Sequence, residues 1–382
     1  MKKHIYTSFL ISISILFFSC KQEKKSIKPL LNNTTQKLVK YAKGFDIQYN
    51  NGVKKLIIKT PYPKSKEVFE YVIHQKNKQK TLKTKNLPNI SVPIDKIVVT
   101  STTHLPMIEL LGKEEAIIGF PHAKYVSSKK IRTLIDNGKI IELGKEASIN
   151  TEILLDIQPE LVVGFSMGKT NKTYNIIEKA GIPVILNGDW LEETPLGRAE
   201  WIKFFGVLFN QEQKADSIFK VIEKSYLDAK EIAKKAQQQP TILSGAIMSK
   251  DIWNLPAGES FVAQFLHDAN LNYLWKNSKG KGSLSLSFES VFDKGQQADF
   301  WIAPGYFSSK KQLLKSNTLY ATFKAFKNDK IYTPATKKGK TGGVLYFELA
   351  PARPDLVLKD MIKITHPELL PNYELTFFEK MK

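Results

Sequence analysis

The sequence predicts an α/β fold: two Rossmann-like lobes joined by a long rigid interdomain helix, with a ligand cleft between the lobes. Three observations predict it. Short apolar, β-branched runs alternate with helical patterns from Ile94 to Leu186. Residues 195–239 then break that rhythm with no strand signal and one long helical face. A second strand–helix section begins at Thr241. Alternation of this kind argues for parallel sheets with helices on their faces.

Met1-Lys2-Lys3 is a short basic start, and Ile5–Phe18 is an apolar run followed by Ser19 and Cys20. The run is too short for a membrane span of about 20 residues but fits a secretory h-region. A small residue before a cysteine resembles the bacterial lipobox, with Phe17 where leucine is usual. Residues 1–19 are therefore expected to be a lipoprotein signal peptide. Cys20 becomes the lipidated first mature residue, which places the protein in the cell envelope, on the periplasmic side. As the only cysteine, Cys20 leaves no partner for an intramolecular disulfide and none for a zinc–thiolate cluster.

Residues 20–44 are polar and lysine-rich, the composition of a tether. Residues 45–90 form a β-rich extension. Asn50-Asn51-Gly52 marks a turn between strands Phe45–Tyr49 and Val53–Thr60, and Val68–His74 is a further strand. The first lobe spans 91–194, with strands at Lys96–Thr100, Ala116–Phe120, Ile140–Leu143, Glu160–Phe165 and Pro183–Leu186. Linker helices fill 195–239. There Ala215, Ile218, Phe219, Ile222, Tyr226, Ala229, Ile232 and Ala233 lie on one helical face. That helix is expected to run about 27 residues, roughly 40 Å, to the stop at Pro240. The second lobe spans 240–382, with strands at Thr241–Met248, Asp299–Ala303 and Lys330–Tyr332 and helices at Ser260–Ala269, Phe288–Lys294 and Pro354–Ile364.

The composition is globular, with 42% hydrophobic residues and a formal net charge of +20. Removal of Lys2 and Lys3 with the signal lowers that charge by two. A cationic chain invites a nucleic-acid reading. An exported lipoprotein with scattered lysines argues against it, and a solvated surface or attraction for an anionic ligand accounts for the charge.

A succession of segments carries a family resemblance. Lys96-Ile-Val-Val-Thr-Ser leads to Leu110-Leu111-Gly112 and Ile117-Ile118-Gly119. Asn150-Thr151-Glu152-Ile153-Leu154 precedes Gln158-Pro159-Glu160-Leu161-Val162-Val163, and Ala180-Gly181-Ile182-Pro183-Val184 follows. Phe288-Glu289-Ser290-Val291 and Asp299-Phe300-Trp301 continue the pattern. Over roughly residues 91–370 this order resembles the class III periplasmic substrate-binding proteins of ABC importers for ferric siderophores, haem and cobalamin. The resemblance implies a monomeric binder without catalytic role or cofactor. It implies delivery of a metal chelate or corrinoid to an ABC permease, and docking on permease arginines through Glu152 and Glu289. An iron chelate, siderophore or haem, is favoured with cobalamin close behind, since the family's cobalamin-contacting tryptophans have no counterpart at Glu146 or in Gly280–Ser287.

Loop position supplies the candidate ligand contacts. They are His104, His122, Tyr125, Met167 and Trp190 in the first lobe, and Trp253, Tyr306, Tyr346 and Arg353 in the second. Aromatic rings offer rigid stacking area, Arg353 could neutralise an anionic group, and His122 and Tyr125 could ligate haem iron.

A different class competes. Ser166-Met167-Gly168-Lys169 fits Ser-x-x-Lys and Lys340-Thr341-Gly342 fits Lys-Thr-Gly, the pattern of a serine acyl-transfer enzyme of the β-lactamase or penicillin-binding type using Ser166 and Lys169. Gly168 interrupts the helical turn that would bring the two together, and no Ser-x-Asn lies between the motifs. Gly164–Thr170 also echoes a P-loop, one residue short of its phosphate cradle. The Lys337–Gly343 run reads as a flexible basic loop at the cleft rim.

Overall fold

The structure is a computed structural model that describes residues 38–50, 53–77, 87–145, 148–249 and 252–382. The signal segment, Cys20 and most of the tether lie outside these residues. Among the described residues no helix is long and apolar enough to cross a membrane.

The extension is a four-stranded sheet in the order β1 (Phe45–Asn50), β2 (Val53–Ile58), β3 (Phe69–Gln75) and β4 (Asn89–Val92). The β1–β2 hairpin pairs Asn50 with Val53 across the predicted turn. β4 joins β3 in parallel, a strand that the short sequence Asn-Ile-Ser-Val barely signals.

The first lobe holds β5 (Ile97–Val99), β6 (Ile117–Phe120), β7 (Ile141–Glu142), β8 (Leu161–Gly164) and β9 (Val184–Leu186). They form one parallel sheet in the order β9-β8-β5-β6-β7. The near-continuous apolar runs follow from burial on both faces. One face packs with α1 (His104–Leu110) and α2 (Lys129–Asp136) into a core shared with the extension. The other packs with α3 (Thr151–Asp156) and α4 (Lys172–Lys179), through Leu154, Tyr174 and Ile177.

Helices α5 (Pro195–Glu200), α6 (Ile202–Leu208) and α7 (Glu212–Ala233) connect the lobes. Thr194 caps α5 by accepting from the Gly197 amide, with Pro195 in the first turn. α7 has 22 residues, about 33 Å, shorter than expected. The apolar face ends at Ala233, and Lys234–Gln239 has nothing to bury. Its two halves serve different cores: Ala215, Phe219 and Ile222 enter the first-lobe core, and Tyr226, Ala229 and Ala233 enter the second. One helix rooted in both cores behaves as a strut.

The second lobe holds β10 (Thr241–Ser244), β11 (Ala246–Ser249), β12 (Ile252–Pro256), β13 (Asn272–Tyr273), β14 (Ser283–Ser287), β15 (Phe300–Ile302), β16 (Ile331–Thr333) and β17 (Glu379–Lys380). Its main sheet has the order β13-β10-β15-β16-β17, with only β17 antiparallel. The expected single strand over Thr241–Met248 is broken. Gly245 turns with φ +78°, where a Cβ would sit 1.9 Å from the Asn254 carbonyl oxygen. The chain then enters a separate antiparallel sheet, β11-β12-β14. Helices α8 (Phe261–Asp268), α9 (Phe288–Gly295), α10 (Lys310–Ser316), α11 (Lys324–Lys327), α12 (Leu345–Leu349) and α13 (Pro354–Thr365) complete the lobe. The two lobes thus own separate sheets.

Candidate functional site: an interlobe cleft

Parallel strands end in loops at one edge of each sheet, the usual place for ligands in open α/β folds. In the first lobe these loops follow β5, β6, β8 and β9. In the second they follow β15 and β16, and α12 lies beyond the latter. α12 packs on α1 and divides the interlobe space in two. Tyr346, Phe347 and Ala350 line a small, mostly apolar cavity of about 100 Å³, with Thr103, Arg198, Phe261 and Phe265. Leu345, Glu348 and Leu349, on the opposite face of the helix, line a cavity of about 1060 Å³ with Glu109, Ser127 and several lysines.

The predicted contact residues fall into three groups. Tyr125, Met167 and Tyr306 stand out from their loops, 50%, 70% and 65% exposed. His122 is partly buried and packs edge-on against Tyr125, with ring centroids 5.6 Å apart. Trp190 is partly buried against Phe165, with its indole N–H unpartnered. Tyr346 lines the small cavity, and burial pushes its hydroxyl up to about 12.

Three residues sit elsewhere. His104 opens α1 and is fully buried beside Phe205, with neither ring nitrogen partnered. Burial pushes it below its usual range, while the Asp189 carboxylate pulls the other way. Trp253 is fully buried in the second-lobe core, stacked on Trp301 with centroids 5.2 Å apart, and its indole N–H donates to the Ser244 carbonyl. The break at Gly245 turns that strand inward, which loop position alone did not signal. The Arg353 guanidinium is held bidentately by buried Asp355, at 2.9 Å through each of two nitrogens. It anchors the start of α13 instead of presenting free charge to a ligand.

The structure adds residues that the sequence did not single out. Phe347 is 45% exposed and faces Tyr306 at 5.6 Å between centroids. The adjacent Tyr346-Phe347 pair was the available signal. Arg198 lies over the Phe261 ring at 3.5 Å and donates to the Trp190 and Glu192 carbonyls. Burial lowers its pKa, opposed by Asp189, Tyr346 and Glu192.

The lobes meet at both ends of the cleft. At one end the Lys337–Gly343 run is a strap pinned to the first lobe, not a loose loop. Thr341 Oγ1 donates to the Lys124 carbonyl at 2.8 Å, and Lys340 pairs with Asp136 at 3.0 Å. Gly343 approaches so closely that a Cβ would sit 1.9 Å from the Tyr125 carbonyl oxygen. Buried Glu348 accepts from the Ser127 and Ser128 amides at 2.6 and 2.9 Å. Burial pushes that carboxyl up against those two hydrogen bonds. At the other end Lys281 of the second lobe pairs with Glu193, which also holds Lys43 at 3.1 Å.

The last residues of the expected tether are pinned here and are not a loose linker, since Glu193 holds Lys43. Amides of Lys40, Tyr41 and Ala42 donate to fully buried Glu200, and those of Lys43 and Gly44 donate to Glu192. Glu152 and Glu289 are exposed in the first turns of α3 and α9, capped by Asn150 and Ser287. The fold thus offers one solvated carboxylate per lobe at comparable helix starts.

The acyl-transfer arrangement does not form. Ser166 is buried and its hydroxyl donates to the Gly168 carbonyl at 2.6 Å. Lys169 points to solvent and pairs with Glu67 of the extension. Lys340 and Thr341 are engaged by the first lobe, as described. Among the described residues no His, Cys, Asp and Glu cluster has a metal-binding arrangement.

A profile of the family described as periplasmic binding protein matches residues 97–335. An uncharacterised lipoprotein of Methanocaldococcus jannaschii is 24% identical over all of this chain and 97% of its own length. A second uncharacterised lipoprotein of that organism is 23% identical over the whole of both chains. Among solved structures, the periplasmic haem-binding protein HutB of Vibrio cholerae superposes with a TM-score of 0.54 at 16% identity, covering 69% of this chain and 99% of its own. A periplasmic haem-binding protein of Pseudomonas aeruginosa reaches 0.55 at 15% identity, covering 76% and 98%. At those identities the likeness is one of fold. Two separate parallel-sheet lobes on one bridging helix, together with the profile over most of both lobes, make the chain a class III member of the periplasmic binding protein family, a solute binder and not an enzyme.

Proposed function

We propose that this protein captures a metal chelate, a ferric siderophore or haem, or else a cobalamin, between its lobes and delivers it to an ABC permease. The observation that carries the reading is aromatic surface left exposed on both lobes: Tyr125 on the first, and Tyr306 with Phe347 on the second. Exposed rings on two rigid supports suit a flat or macrocyclic solute, which they can stack without losing much side-chain freedom. The haem-binding names of two solved neighbours favour an iron chelate. Glu152 and Glu289 would meet permease arginines, whose planar guanidinium takes a carboxylate bidentately and fixes register. Lipid on Cys20 would hold the protein at the envelope as a monomer, and the lipoprotein relatives support that anchor.

The test is quenching of intrinsic tryptophan fluorescence against haem, cyanocobalamin and several ferric siderophores. Saturable binding of one of them, weakened about tenfold or more in Tyr125→Ala with Tyr306→Ala, is expected. Absence of binding to every chelate would overturn the reading.

A further inference from the structure

The second lobe carries a concentration of positive charge away from the cleft. Parallel β15 and β16 begin at Phe300 and Ile331. Asp299 and Lys330 therefore mark the amino edge of the main sheet, opposite the edge whose loops form the cleft. Lysines gather there. α10 opens with Lys310 and Lys311, and Lys315 follows Lys311 by four residues, on the same helical face. α11 contributes Lys324 and Lys327, and β17 contributes Lys380. Direct contacts hold these elements together. The Lys310 amide donates to the Lys382 carbonyl at 2.8 Å, the Lys310 ammonium pairs with Asp329, and Lys380 stands opposite Tyr332 of β16. The bond from Lys310, with Lys380 nearby, holds the Asp329 carboxyl below its ordinary range.

The acids present are already engaged. Lys324 takes Asp299 at 2.7 Å, Lys310 takes Asp329, and Glu379 leans to Lys337 at 3.9 Å. Lys311, Lys315, Lys327, Lys330 and Lys380 are exposed, with no carboxylate within 4 Å among the described residues. Leu319, in the short helical turn between α10 and α11, is 48% exposed beside them. Unpaired ammonium groups on one edge attract an anionic surface. An exposed leucine adds nothing to that attraction but suits a surface with an apolar interior. A bilayer offers both, and interfacial protein segments combine the same two features. A polyanion in solution offers charge alone.

We propose that this edge of the second lobe rests on a bilayer leaflet rich in anionic lipid. The inference goes beyond solute capture and holds for any cargo. A lipid on Cys20 would keep the protein within reach of such a leaflet. Because the lysines lie at the amino edge of the sheet and the cleft loops at the carboxyl edge, a protein held this way turns its cleft away from the bilayer, open to incoming solute.

The experiment measures partition of the mature chain, residues 20–382 without its lipid, onto vesicles of phosphatidylcholine alone and of phosphatidylcholine with phosphatidylglycerol in equal parts. Two variants of equal net charge are compared. One carries Lys311→Gln, Lys327→Gln, Lys330→Gln and Lys380→Gln; the other carries Lys220→Gln, Lys224→Gln, Lys234→Gln and Lys235→Gln, exposed positions on and just beyond α7. Circular dichroism confirms that both fold. The expected result is wild-type binding to the anionic vesicles only, weakened by salt. Binding should fall about fivefold for each lysine removed from the edge and change little in the second variant. Equal losses in the two variants would make the attraction one of net charge and overturn the inference. Equal binding to both kinds of vesicle would overturn it as well. Retention on heparin without binding to either vesicle would assign the edge to a soluble polyanion, and failure to bind any of these probes would leave it a solvated face; both results overturn the inference and leave the chelate reading standing.

Discussion

Adding one methyl group at Gly343 should loosen the seam between the lobes. The new Cβ would lie 1.9 Å from the Tyr125 carbonyl oxygen, where real contacts begin near 3.0 Å. The strap and the first-lobe rim must therefore part by about 1 Å. The obstacle is backbone, which cannot swing away like the end of a long side chain. A displacement of that size stretches the bond from Thr341 to the Lys124 carbonyl, now 2.8 Å, beyond the roughly 3.6 Å at which it ceases to be one. Overpacking of this kind costs about 1–3 kcal/mol, and the lost hydrogen bond adds about 1 kcal/mol. Urea unfolding of Gly343→Ala against wild type measures the loss. Gly168→Ala is the control, because nothing lies within 4 Å of its added Cβ. It should stay within about 0.5 kcal/mol of wild type. If Gly343→Ala unfolds at the same urea concentration as that control, the strap is not pressed against the first lobe.

Other consequences follow from the same structure. Trp253→Ala should cost about 3–5 kcal/mol of stability, because the ring fills the second-lobe core; an unchanged thermal midpoint would contradict that placement. Glu152→Ala with Glu289→Ala should leave solute affinity intact and abolish permease-dependent uptake, whereas persisting uptake in a reconstituted system would remove both from docking. Burial holds His104 below its usual value, so the unfolded chain takes up a proton near pH 6.5 before the folded one does. Stability is then full above that pH and falls as pH drops through the folded value. Urea midpoints between pH 5 and 8 should show His104→Leu flattening that slope to the share left by His366, which burial also lowers. Burial raises Asp299, but its bonds to Lys324 and Thr241 outweigh this and hold it at about 2. Its contribution is present in full above about pH 4 and is lost as pH falls from there to about 2. Asp299→Asn should remove this part of the acid unfolding curve, and identical wild-type and variant curves would count against it.

The lobes and the strut were legible in the sequence because their periodicities are long-range and redundant. Ala215 to Ala233 repeats at three and four residues, and β-branched runs recur at each strand of the first lobe. The cleft was less legible because the same residue types serve core and rim. Trp253 and Tyr306 both sit in loop-like stretches of aromatic character, yet Gly245 folds one inward and leaves the other in solvent. His104 looked like a loop residue and is the first residue of a helix packed against α6. The strap's lysines read as loose surface charge, since nothing local shows that glycines 339 and 343 let the chain lie against the opposite lobe. Glu348, which clasps the lobes, carries no signal beyond a carboxylate in a short helix.

Hydrogen exchange across a bound chelate tests the central idea most directly. If the cargo is gripped between rims held apart by α7, saturating chelate should slow exchange in both the 122–128 loop of the first lobe and the 303–308 loop of the second, and leave α7 unchanged. Protection confined to one lobe, or absent from both loops while binding is saturated, would contradict the account.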